Sequence, residues 1–286
     1  MLDLYKKYSE CYKLCDEGRA ALLNAARKIC SDEKLIAEAM DIKNRLVNSP
    51  YNFNENGEFK VRDASFGAFI CTITIEEMEK FYLSKGIPRE IFLATIDDLG
   101  IWINNHFNCF GEWGLASFGW FRLHYQGKIF RLGRLQFEIA RIDEVLEADT
   151  HAGLNLNFGD DFLDVHIPRG GRLDEQACFD SFEQAKVFFP QYLNEYDFKA
   201  FVCYTWLFDP CFKDLLSCDS NILKFQRMFN IYKYDKENYS GLKYIFVNVT
   251  KDNITDAPGD TTLRKAIAEH ILNGGIMRKG AGYRMI

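Results

Sequence analysis

The sequence predicts an α+β chain: a helical N-terminal domain over residues 1–115, then a mixed β-sheet flanked by helices over residues 116–286. Three observations carry this expectation. Apolar residues recur at helical spacing through the first part. After Gly114 the pattern shifts to alternation, the period of a strand. Strand-like and helix-like runs then follow one another, which one sheet with helices packed on it accommodates most simply.

In the first part, Leu22, Ala26 and Ile29 mark one helix, and Leu35, Ala39, Ile42 and Leu46 mark a second. Asn48-Ser49-Pro50 stops the second, because a proline disfavours helical backbone in the residue before it. Residues 51–72 read as a loop with a short strand at Phe66–Ile73. Thr74 with Glu77 has capping-box spacing, and Gly86 closes the helix that would follow. Pro88 sits where a helix accepts a first-turn proline, ahead of the stripe Phe92, Ile96, Leu99 and Ile103.

In the second part, Phe118–Tyr125 and Lys128–Ile139 flank a Gln126-Gly127 turn and read as a hairpin, with Gly133 marking a bulge. Phe162–Ile167 is a further strand. A helix starts after it at Asp174 or at Ser181. Phe198–Phe208 is apolar enough for a strand buried on both faces. A helix over Asn221–Tyr232 is capped by Asp219 or Ser220, Tyr244–Val249 is a last strand, and Leu263–Leu272 is a helix behind Thr261 or Thr262.

The 286 residues are 48% hydrophobic and 27% charged, which excludes wholesale disorder. The net charge of −6 argues against a nucleic-acid partner, which calls for a basic footprint. Nine cysteines without a CxxC pair point to free thiols in a reducing cytoplasm rather than a zinc ribbon or a redox pair. The N-terminus Met-Leu-Asp-Leu-Tyr-Lys-Lys lacks the apolar core of a signal peptide, and no run is long enough for a membrane span. The sequons at Asn238, Asn248 and Asn253 therefore carry no weight. Nothing in the sequence sets the oligomeric state.

Two constellations carry candidate chemistry. Pro168-Arg169-Gly170-Gly171-Arg172 lies between a strand and a helix, where backbone N–H groups and a helix dipole suit a phosphate. The same residues also make an ordinary tight turn with two solvated arginines. Glu138 and His166 each sit late in a strand, on the polar side, and would line one cleft if the strands are neighbours. A carboxylate beside an imidazole can relay a proton near neutral pH. Asp164 and Gln136 would be their companions. The competing reading is a polar row on an exposed sheet face, or Glu138 paired with Arg134. Tyr204, in the strand at 198–208, is a candidate acid, and Cys203 should face the other way. His270, on the apolar face of the last helix, reads as a core histidine, His106 and His151 lack metal-ligand spacing, and no metal is expected.

Gly119-Trp-Phe-Arg-Leu, Phe130-Arg-Leu-Gly-Arg-Leu-Gln-Phe-Glu138 and Val165-His-Ile-Pro-Arg-Gly-Gly together resemble a group of bacterial GNAT-like acyltransferases. Trp206-Leu-Phe-Asp-Pro210, Ser220-Asn-Ile222 and Leu263…His270…Gly274-Gly275 fit the same pattern. The resemblance implies a helical N-terminal domain before a GNAT-like C-terminal domain. It implies an N-acyltransferase that uses acetyl-CoA or another acyl-CoA and acts on a small-molecule or peptide amine. It places the CoA pyrophosphate at Ile167, Arg169, Gly170, Gly171 and Arg172, and the proton transfers at Glu138 or His166 and Tyr204. The superfamily signature Arg/Gln-x-x-Gly-x-Gly/Ala is replaced here by Arg-Gly-Gly-Arg-Leu-Asp. That departure favours the alternative, a non-catalytic module on a degenerate GNAT fold that binds CoA or another small molecule.

Overall fold

A computed structural model describes residues 1–48, 61–116 and 118–286. The chain divides into two compact units, Met1–Leu132 with Pro168–Gly170, and Gly133–Ile167 with Gly171–Ile286.

The first unit is helical: α1 (Leu2–Ser9), α2 (Asp16–Cys30), α3 (Glu33–Asn48), α4 (Ala64–Lys85), α5 (Arg89–Phe110) and the short α6 (Arg122–Tyr125). It closes on strand β1 (Ile129–Leu132), which packs on α5. α4 is the core of the unit, with α1, α2, α3 and α5 packed against it. Its residues from Phe66 to Ile75 are all buried, so it is apolar around its whole circumference. That explains a correction. Phe66–Ile73 reads as a strand in sequence because a fully buried helix has no amphipathic period. Thr74 is likewise inside α4, its hydroxyl donating to the Ile70 carbonyl at 2.6 Å. The cap is Asp63, which accepts from the Phe66 N–H at 2.8 Å. Gly86 does close α4, in left-handed backbone at φ 67°.

Ser49 and Pro50, and the loop expected after them, lie outside the described residues. Phe118–Tyr125 is also helical, not a strand. Phe121, His124 and Tyr125 are buried at helical spacing, and the Trp120 indole N–H donates to the buried Asp98 at 3.0 Å. The chain reverses at Gly133-Arg134 instead of at Gln126-Gly127, with Gly133 at φ 68°.

The second unit holds β2 (Leu135–Arg141), α7 (Glu144–His151), β3 (Asp161–His166), α8 (Glu175–Tyr192), β4 (Phe198–Thr205), α9 (Phe212–Leu215), α10 (Asn221–Gln226), β5 (Asn230–Tyr234), α11 (Leu242–Ile245), α12 (Thr262–Leu272) and β6 (Gly280–Met285). The five strands of this unit stand in the order β2-β3-β4-β6-β5. Only the β3–β4 pair is parallel. One face is covered by α8, whose Phe182 and Phe189 pack on Phe137 and Phe201. Asp174 caps α8. Ser181, the other candidate cap, is buried within the helix and accepts the Arg134 N–H at 2.8 Å, pinning the turn before β2.

Three further expectations are corrected in this unit. The helix expected over Asn221–Tyr232 stops at Gln226, and β5 follows. Tyr244–Val249 is not a strand. Leu242, Ile245, Phe246 and Val249 enter one small core at helical spacing, and the β-branched composition misleads. No strand pattern in the sequence marks β6, whose first three residues are Gly-Ala-Gly. Its Gly280 lies so close beneath Phe208 that an added Cβ would sit 2.8 Å from the Phe208 Cβ. Among the described residues no helix is long and apolar enough to cross a membrane.

Candidate active site

The sheet face opposite α8 carries the polar groups. Register fixes this: Gln136 stands opposite His166, Glu138 opposite Asp164 and Ala140 opposite Phe162. Across the parallel pair Asp164 stands beside Val202. Because side chains alternate along a strand, Gln136, Glu138, Asp164, His166 and Tyr204 share one face. Farther along that face, Phe162, Ala200 and Val202 join Ile142, Leu154 and Leu156 in a small apolar core.

Glu138 and His166 meet. Glu138 Oε2 lies 2.8 Å from His166 Nε2. Asp164 Oδ2 approaches the same nitrogen at 3.6 Å. Three groups from two neighbouring strands thus surround one ring atom. Their ligand atoms all lie within 4.8 Å of one another, tight enough for a metal ion as well as for a shared proton. Burial pushes the Asp164 carboxyl up to about 6, and the Glu138 charge adds to the rise while His166 opposes it. A carboxyl in that range exchanges its proton near neutral pH, which the ordinary carboxyl cannot do.

The β3–β4 ladder makes its last pair at Asp164 and Val202, whereas β3 runs on to His166 and β4 to Thr205. Beyond that pair the Cys203 thiol donates to the Val165 carbonyl at 3.2 Å. Cys203 faces away from Tyr204, as expected, and burial holds its thiol far above the usual range. The backbone ladder between β3 and β4 therefore stops short of His166, at the end of β3 that leads into the glycine turn.

Tyr204 is about half exposed rather than buried in a two-sided strand. Its hydroxyl donates to Asp235 Oδ2 at 2.6 Å, and Lys279 Nζ lies 4.7 Å from its ring centroid. Burial and the Asp235 charge raise its pKa, and burial together with Lys243 lowers that of Lys279. Local sequence pattern does not reveal Asp235 and Lys279, because they flank β5 and β6, whose pairing it does not record.

Ile167 follows β3 directly. Gly170 and Gly171 have φ of 87° and 74°, a consecutive left-handed pair that side chains disfavour. A Cβ on Gly170 would meet nothing within 4 Å. Arg134 Nε donates to the Arg172 carbonyl at 2.9 Å and steadies the turn. Arg169 and Gly170 group with the first unit, Gly171 and Arg172 with the second. α8 begins at the first of the two expected starts, Asp174, whose carboxylate accepts the Ala177 N–H at 3.0 Å. A cavity of about 240 Å³ lies on the α8 side of the sheet, lined by Leu163, Phe189 and Phe198, and not on the polar face.

The family model of a GNAT-like C-terminal domain matches residues 129–284. That of an N-acyltransferase N-terminal domain matches residues 6–127. Among solved structures, the chain is similar to an acyltransferase in complex with decanoyl-CoA and teicoplanin, at 22% identity and a TM-score of 0.84, over 98% of this chain and 87% of that one. It is similar to a mutant acyltransferase in complex with octanoyl-CoA, at 21% identity and a TM-score of 0.84, over 99% and 88%. A third, an acyltransferase with decanoyl-CoA, has 23% identity and a TM-score of 0.70 over 86% and 75%. No curated protein matches the chain.

Proposed function

This chain belongs to the family whose GNAT-like C-terminal domain follows an N-acyltransferase N-terminal domain, and from that premise we propose that it moves an acyl group from acyl-CoA to an amine by direct attack. The observation that supports this most is the 2.8 Å contact between Glu138 and His166 beside the end of the β3–β4 ladder.

In the proposed reaction the amine nitrogen bonds to the thioester carbonyl carbon, the C–S bond breaks, and the proton leaves the ammonium. A neutral His166 that donates Nε2–H to Glu138 carries its basic lone pair on Nδ1. His166 takes the proton there, and the Glu138 carboxylate stabilises the imidazolium, as a carboxylate does for any relay histidine. The departing thiolate needs one proton. Tyr204, on the same face, is the proposed donor, after its hydroxyl turns away from Asp235. The second proton of the attacking nitrogen, released as the tetrahedral intermediate collapses, passes through solvent to the Tyr204 phenolate and restores it. Ile167, Arg169, Gly170, Gly171 and Arg172 are the proposed pyrophosphate contacts. The paired left-handed glycines and the open space beside Gly170 support this, since such backbone presents N–H groups to an anion.

Neighbouring structures hold octanoyl- and decanoyl-CoA, so medium-chain donors stand beside acetyl-CoA as proposed cosubstrates. The acceptor is a small-molecule or peptide amine. The teicoplanin bound by one neighbour makes a glycopeptide amine the first to try. A cytoplasmic setting suits nine free thiols. The replacement of the superfamily glycine signature by Arg-Gly-Gly-Arg-Leu-Asp favours a second reading, a module that binds CoA or another small molecule without turnover.

The test is thiol release from acetyl-, octanoyl- and decanoyl-CoA over a panel of amines that includes a glycopeptide. Amine-dependent release supports transfer. Tight binding of acyl-CoA with no release to any amine supports the second reading.

A further inference from the structure

Gln136 is buried on β2, beside the Glu138–His166 pair, with 2% of its surface exposed. Its side-chain Nε2 has no hydrogen-bond partner among the described residues. A buried donor left unpaired costs stability, and native chains keep few of them. Gln136 shares its sheet face with His166, its register partner, at the level where β3 runs beyond its ladder with β4.

We propose that Gln136 is a binding residue whose carboxamide N–H donates to a carbonyl oxygen of the bound acyl donor. This rests on the acyl-CoA reading above. The chemistry narrows the guest. A carboxamide N–H cannot serve an ammonium, which brings only donors, and the neighbouring carboxylates already exclude a second anion at this level. A neutral acceptor remains, and on the acyl-pantetheine arm the strongest is a carbonyl oxygen. An acyl-CoA arm carries two kinds, the thioester carbonyl and the pantetheine amides. A carbonyl that pairs with Nε2 in the bound state relieves the unpaired donor, so the cost borne by the free protein becomes selectivity for a ligand that carries it.

The experiment is calorimetric titration of wild type and Gln136→Leu with octanoyl-CoA, with its thioether analogue S-octyl-CoA, and with free CoA. Leucine keeps the bulk and removes the donor, so the variant should melt no lower than wild type. Affinity for octanoyl-CoA should fall about five- to tenfold in the variant, the weight of one lost hydrogen bond. If the thioether and free CoA are unaffected, the partner is the thioester carbonyl. If all three weaken together, it is a pantetheine amide. Should Gln136→Leu fail to fold, Gln136→Met supplies the same comparison. Unchanged binding of all three overturns the inference and leaves the acyl-CoA reading intact. No binding of any of them to wild type removes that reading, and the inference with it.

Discussion

Replacing Asp164 by asparagine should stabilise the protein at neutral pH and not at pH 4. The Asp164 carboxyl titrates at about 6 in the fold against an ordinary value of 3.8, because burial strips its charge of water and Glu138 stands opposite. Since the folded value is the higher one, the fold prefers the protonated carboxyl. The stability this confers is fully present below about pH 4 and is lost as pH rises through about 6. A separation of roughly two pH units corresponds to about 3 kcal/mol. The side chain keeps 32% of its surface in water, so screening reduces this to on the order of 1 kcal/mol. The carboxamide of the Asp164→Asn variant cannot ionise and should escape the loss. Urea midpoints for both proteins between pH 4 and pH 8 read the difference. The two curves should meet near pH 4 and separate by about 1 kcal/mol at pH 7.5. A variant less stable than wild type at pH 7.5, or a gap that ignores pH, would refute the reasoning.

Other consequences follow from groups outside the pair. Asp209 is fully buried and accepts the N–H of Cys211 at 2.9 Å and of Arg278 at 2.6 Å, so Asp209→Ala should cost about 2–4 kcal/mol in urea unfolding. Gly280→Ala forces a methyl against Phe208 and should cost about 1–3 kcal/mol, read as a lowered melting temperature. Tyr204→Phe leaves Asp235 without the tyrosine proton but removes no buried bulk. It should slow thiol release at least tenfold at unchanged melting temperature, and unchanged turnover would remove Tyr204 from the mechanism.

What the sequence made legible follows from where each segment lies. Leu22, Ala26 and Ile29 on α2, and Phe92, Ile96, Leu99 and Ile103 on α5, bury one stripe each, so their period shows. α4 buries every side, and its Phe66–Ile73 run passes for a strand. Glu138 and His166 could be placed on polar faces by alternation alone. That their strands are neighbours, and that Asp164 joins them at one nitrogen, is decided by long-range pairing that no local pattern records. The surroundings of Tyr204 were out of reach for the same reason: Asp235 and Lys279 flank strands hidden by a helix-like run and a glycine pair. The orphaned Nε2 of Gln136 is a property of packing alone.

The central claim is that the Glu138–His166 pair drives acyl transfer, and product mass tests it most directly. Wild type, Glu138→Gln and His166→Gln are each incubated with octanoyl-CoA and an amine acceptor, and the acylated amine is quantified by mass spectrometry alongside octanoyl-CoA affinity. The account predicts acylated amine from wild type and at least a hundredfold less from either variant, with affinity for octanoyl-CoA retained. Full product from both variants would contradict it.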